Sequence, residues 1–319
     1  MTTTAEIGLL ASSPVTPVES VVDIGRMIDL EPLVQTGRNW TRWVGPIVSL
    51  FILAAVAYQL RKFDFTHFAT PLPVGLGFWA AFVIYYLVGP ASEWIIFRRL
   101  WTLPVEGFFA LLRKLVSNTI LLGYLGEVYF YAWARRNAHI NAAPFGAIKD
   151  VSILSALTGN IVTLAMVVIS APLFRSLRLG MDGEAFVLST VFVTIISLAV
   201  LLLRKRLFTL PRKELWIIAG IHFGRILATI LLAAIMWHIL LPTVALTWWL
   251  LLGTLRQLVS RLPFLPNKDV VFAGLAVFFV GNDASIASAM ALMAALTLGT
   301  HLLVGAVLGI SELVRESRA

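Results

Sequence analysis

The chain has 319 residues, 59% of them hydrophobic and only 13% charged, about half the roughly 25% charge of a soluble domain. A soluble fold could not cover that much apolar surface, so soluble enzymes and soluble binding modules are excluded. The net charge of +8, from 25 Lys and Arg against 17 Asp and Glu, reads as juxtamembrane topology signals and anionic-lipid contacts; no nucleic-acid partner is expected.

Residues 1–37 are polar, with Ser12, Ser13, Pro14 and Pro17, and lack the apolar centre of a signal peptide. They are expected as a disordered cytoplasmic tail, with a short amphipathic helix over residues 21–33, ahead of a single transmembrane domain at 38–319. The first span is expected over residues 43–60, preceded by Arg38 and Arg42, with Trp40 and Trp43 at the interface. The second covers residues 72–92 and opens at Pro71 and Pro73. A helix needs about 20 apolar residues to cross a hydrocarbon core of about 30 Å. Backbone groups in lipid must be satisfied internally, so such runs are helices. The ~10-residue alternation of a membrane β-barrel is not seen.

Seven basic residues (Arg98, Arg99, Arg113, Lys114, Arg135, Arg136 and Lys149) follow the second span and mark a cytoplasmic connection. Within it, residues 115–126 are apolar but too short to span. Gly123, Gly126 and Glu127 interrupt them. A re-entrant helix and an amphipathic helix on the cytoplasmic face both fit. Further spans are expected at 151–174, 185–203, 215–238 and 284–310. The loop from Arg204 to Lys213 carries five basic residues and is cytoplasmic. Residues 242–255 and 270–282 are again short, flanking a polar stretch from Arg256 to Asp269; together they suit a hairpin entering from outside, with Arg256 at its tip. The expected fold class is therefore an all-α integral membrane bundle. It has about six full spans, two re-entrant or broken helical regions and a possible inverted repeat. Both termini are expected in the cytoplasm. A pair of broken segments in corresponding positions is the best sequence pointer to a transporter's binding site.

Charges in such segments need a reason, since insertion scales charge about 2.5–3.5 kcal/mol for each central Asp, Lys or Arg. The candidates in the first half are Arg113, Asn118, Glu127 and Arg135. In the second half they are Arg256, Arg261, Lys268, Asp269 and Asp283. Arg225 stands alone in the apolar run 217–237, roughly 15 Å into its helix at the standard rise. Each has a plainer reading as a solvated loop charge or a snorkelling side chain. Glu93, just past the second span, reads as interfacial. His222 and Arg225 share a helix face at i, i+3. No His-Glu-x-x-His spacing, Walker loop or dinucleotide fingerprint is present. With no cysteine, neither a disulfide nor a thiolate metal site is available. No metal or other cofactor is expected.

Two stretches carry a family resemblance over about residues 40–310. One is Lys114-Leu115-Val116-Ser117-Asn118, continuing to Gly126-Glu127-Val128, with Arg135-Arg136 after it. The other is Leu262-Pro263-Phe264-Leu265-Pro266. Together they resemble the membrane domain of lysylphosphatidylglycerol synthases, a flippase-like superfamily with many stand-alone members in bacteria and archaea. The chain departs from the pattern where Asn267-Lys268-Asp269 replaces glycines and a Glu, and where the first turn lacks its Pro. The soluble aminoacyl-transferase domain of the full-length synthases is expected to be absent.

The resemblance implies movement of a lipid or lipid-linked headgroup between leaflets of a bacterial inner membrane. The substrate would be a phospholipid or a polyprenyl-phosphate-linked lipid, its phosphate held by basic residues of the two broken segments, without catalysis. A membrane-embedded transferase, with Asp269 and Asp283 binding a divalent metal, and a non-catalytic scaffold for envelope-lipid biosynthesis enzymes are the alternatives. A homodimer is also open, through the small residues of 285–309.

The absence of cysteine makes the topology directly testable. In intact cells, Asp182→Cys is expected to react with a membrane-impermeant maleimide, and Lys205→Cys to react only after permeabilisation.

Overall fold

The computed structural model describes Val44, residues 47–54, 75–101, 103–121, 124–137, 144–176, Val191, Ile195, 208–261, 267–280 and 284–316. Among the described residues the chain is helical, with no strand. Residues 47–54 form part of the expected first span; of the expected fourth span only Val191 and Ile195 are described, both helical, and the tail at 1–37 lies outside the described residues. The first half then runs α1 (Leu76–Trp101), α2 (Glu106–Ile120), α3 (Leu125–Asn137) and α4 (Pro144–Ser176). The second runs α5 (Arg212–Leu240), α6 (Leu246–Arg261), α7 (Lys268–Val280) and α8 (Ala284–Glu316). Both halves have the order long, short, short, long.

Four of these helices are long and apolar enough to cross a membrane: Leu76–Trp101, Phe145–Ser170, Arg212–Leu240 and Ser288–Val314. They mark the chain as an integral membrane protein. At 1.5 Å per residue, α1 spans about 39 Å, whereas α2 and α7 reach only about 22 and 20 Å. The short helices pair as hairpins, α2 on α3 and α6 on α7.

α1 and α5 pack together and run antiparallel. Arg99, at the end of α1, pairs with Glu214, in the first turn of α5, at 2.7 Å. The first hairpin packs at that end, where Ile96, Phe97, Val116, Phe130 and Ile218 share one buried core. The second hairpin packs at the other end, where Phe78, Phe82, Met236, Trp237, Trp249 and Phe272 share another. The hairpins also make equivalent contacts across the molecule, α2 with α8 and α6 with α4. The similarity of the two halves is thus one of element order and packing.

Local chemistry sets the breaks. α2 ends when Leu121 leaves helical geometry, its N–H still donating to Ser117. Tyr124, at φ 78°, and Asn267, at φ 48°, take the left-handed conformation that Asn tolerates and an aromatic residue rarely adopts. Asn118 Oδ1 bridges the first break by accepting from the Gly126 N–H at 2.8 Å. Gly126 permits that closeness, because a Cβ there would lie 2.3 Å from the Lys114 carbonyl oxygen. The entry to α5 is tied down by Asp150, fully buried, whose Oδ2 accepts from the Thr209 N–H, the Thr209 hydroxyl and the Leu210 N–H at 2.7–2.9 Å.

Arg256 is not at the tip of its hairpin. The apolar pattern continues through Leu258 and Val259, the latter buried in the second core, so α6 runs on to Arg261. The tip therefore falls between Arg261 and Lys268.

Gly126→Ala is expected to force α2 and α3 apart, lowering stability by about 1–3 kcal/mol, the usual cost of overpacking. Thermal unfolding in detergent measures it.

Candidate functional site

The two breaks meet. The Asn267 N–H donates to the carbonyl of Thr119, in the last turn of α2, at 2.9 Å. Buried and half-buried charges gather on either side of this contact.

One group lies on the first-half side. Lys114, only 4% exposed, donates to both oxygens of Glu93 at 3.0 and 2.9 Å and lies 3.5 Å from Glu127 Oε1. Glu127 Oε2 is buried without a partner. One ammonium thus holds carboxylates from two other helices. Arg225 comes within electrostatic range of Glu93, and its Nη2 donates to Ser155 of α4 at 2.8 Å. Its Nε is buried and has no acceptor. His222, fully buried, interacts electrostatically with Arg225, Glu93 and Lys114. The Val151 backbone lies beside it, yet neither ring nitrogen makes a well-formed hydrogen bond.

The second group lies at the hairpin tip. The Arg261 guanidinium rests on Gly159, where a Cβ would come within 2.0 Å of its Nη1. Ser155 and Gly159 are one helical turn apart on the same face of α4, so that face carries Arg225 and Arg261 in succession. Ser260 then joins two cations, its hydroxyl accepting from Arg261 Nε at 3.0 Å and its carbonyl from Lys268 Nζ at 2.8 Å. Neither Arg261 nor Lys268 has a carboxylate within ion-pair distance among the described residues. Like charges gathered this way repel one another, so the bare cluster is held against its own repulsion by the fold.

Arg256 belongs elsewhere. It pairs with Asp269 at 2.9 Å, contacts the Tyr85 hydroxyl and lies over the Tyr85 ring at 5.2 Å. These groups close one end of a cavity also lined by Trp237, Phe272, Met290 and Thr297, with room for about one water. Arg113 is likewise engaged. It is 3.3 Å from Glu312 and also reaches Tyr129 and the Leu308 carbonyl, fastening α2 to α8.

Of the residues singled out in the sequence, Glu127, Arg225, Arg261 and Lys268 come together around the meeting breaks. Arg256 and Asp269 form the neighbouring ion pair. Asn118 closes a turn and Arg113 ties helices. Arg135 is exposed at the end of α3, away from these groups, and Asp283 lies outside the described residues. Sequence reasoning overlooked Ser155 and Tyr85, and placed Glu93 at the interface instead of in an ion pair with Lys114.

No family model, no curated protein and no solved structure matches the chain.

Removing Lys114 strands two carboxylates. Breaking a buried pair by deleting one partner costs about 3–5 kcal/mol, so Lys114→Met is expected to destabilise by that order. Adding Glu127→Gln, which leaves Glu93 facing Arg225, should recover much of the loss, read as melting temperature in detergent.

Proposed function

We propose that this chain moves a phosphate-bearing lipid, or a lipid-linked headgroup, between the leaflets of a membrane. The observation that carries the reading is the cluster of Arg225, Arg261 and Lys268 at the meeting point of two broken segments. Arg261 and Lys268 have no carboxylate partner among the described residues. Guanidinium and ammonium groups without a counter-charge suit a phosphate, and small residues of α4 bring them close together.

The two hairpins are read as re-entrant, entering from opposite faces. Their short helices, and their packing at opposite ends of the antiparallel α1–α5 pair, support this. With residues 43–60 and 185–203 added as spans, each half has five segments, and the halves are related by inversion. In transporters built this way the substrate site lies near the bilayer midplane, and one repeat rocks against the other to open it to each side in turn. The headgroup phosphate would sit on the cations while the acyl or prenyl chains remain in lipid. The basic loops then put both termini in the cytoplasm, as suits an inner-membrane protein.

Purified protein in liposomes with fluorescent phosphate-bearing lipids tests the reading. Protein-dependent leaflet exchange is expected, reduced more than about tenfold by Arg261→Gln, given the worth of a charge-assisted hydrogen bond to phosphate. Arg135→Gln, at an exposed position, is expected to leave it unchanged. Equal exchange in wild type and Arg261→Gln would contradict the cation site.

A further inference from the structure

The charges around the meeting breaks can be balanced residue by residue. Glu93 and Glu127 offset Lys114 and Arg225, which they contact or face. Glu312 offsets Arg113, and Asp269 offsets Arg256. Among the described residues two positive charges remain, on Arg261 and Lys268, joined through Ser260. Within electrostatic range of Arg261 is a buried donor that lacks an acceptor, Arg225 Nε. Ser152, one turn before Ser155 on the same face of α4, has a buried hydroxyl oxygen without a partner. An anion that suits this place brings two negative charges and several acceptor oxygens.

We propose that the site is built for a dianionic phosphate, the monoester end of a lipid, and discriminates against the singly charged phosphodiester of common phospholipids. The inference rests on the translocation reading and narrows its substrate class. A phosphate monoester carries about −1.5 to −2 charges at pH 7, with a second ionisation near pH 6. It neutralises both Arg261 and Lys268 and leaves a terminal oxygen free for Arg225. A diester carries one charge and two free oxygens. It leaves one cation uncompensated, in surroundings where like charges repel strongly. Lys268 is the discriminating residue, since Arg261 alone suffices for a monoanion.

The test compares a fluorescent polyprenyl monophosphate with a fluorescent phosphatidylglycerol in the same proteoliposomes at pH 8. The monoester is expected to exchange at least about tenfold faster, because a second charge is neutralised. At pH 5, where the monoester is largely monoanionic, that advantage should shrink. Lys268→Gln should bring the two lipids within about threefold of each other, mainly by slowing the monoester. Arg261→Gln, which removes the other uncompensated charge, serves in its place if Lys268→Gln does not fold. Equal rates for monoester and diester in the wild type would overturn the dianion assignment and leave lipid translocation standing. If neither lipid exchanges, translocation falls, and the dianion site is judged by thermal stability in detergent. Stabilisation by the monoester and not the diester, lost in Lys268→Gln, would uphold it, and no difference would overturn it. Inorganic phosphate, added at the same concentration as the lipid, separates the sources: inhibition as strong as that by unlabelled monoester would assign the site to a soluble anion and overturn its assignment to lipid.

Discussion

A helix broken among apolar neighbours leaves backbone N–H and C=O groups that the protein itself must satisfy, since each buried group left unpaired costs several kcal/mol in lipid. Much of this structure follows from how two such breaks meet that demand. Asn118 reaches across the first to the Gly126 N–H. At the second, the Asn267 N–H finds the Thr119 carbonyl of the first. Each break therefore lies where the other can serve it. Glycine at 126 permits the close approach of α2 and α3, and the antiparallel α1–α5 pair holds the two hairpins at its opposite ends.

Bringing the breaks together also brings their charges together. Most are paired: Lys114 between Glu93 and Glu127, Arg113 on Glu312, Arg256 on Asp269. Buried pairs of this kind add little net stability, because desolvation consumes the Coulombic gain, but deleting one member is expensive. They fasten α1, α2 and α3 to one another, α2 to α8, and α6 to α7. Arg261 and Lys268 have hydrogen bonds but no counter-charge among the described residues. In the proposed function these two cations receive the headgroup phosphate.

Much of the architecture was legible in run length. The expected spans at 151–174, 215–238 and 284–310 lie within α4, α5 and α8, and α1 takes up the second from Leu76 onward; each helix runs past its apolar stretch because charged residues such as Arg98, Lys149 and Glu312 continue it. The interrupted regions were visible as segments too short to cross. Where the tip would fall was not, since a charge inside an amphipathic helix reads like a charge at its end; Arg256 is the example. The partners of the charges were equally hidden. Glu93 and Lys114 are 21 positions apart, Ser155 and Arg225 70 apart, and nothing in a single sequence announces such pairs. His222 stood out by its spacing from Arg225, but its lack of a well-formed hydrogen bond could come only from three-dimensional packing.

The most direct measurement concerns the meeting of the breaks. In a protein with no native cysteine, Thr119→Cys and Asn267→Cys together are expected to cross-link within one chain, in membranes, with an oxidant or a short bis-thiol reagent, while either alone does not. Efficient cross-linking that also stops leaflet exchange, reversed by reduction, is the predicted result. Two cysteines that never react with each other, in protein shown to be folded, would contradict a shared site between the halves.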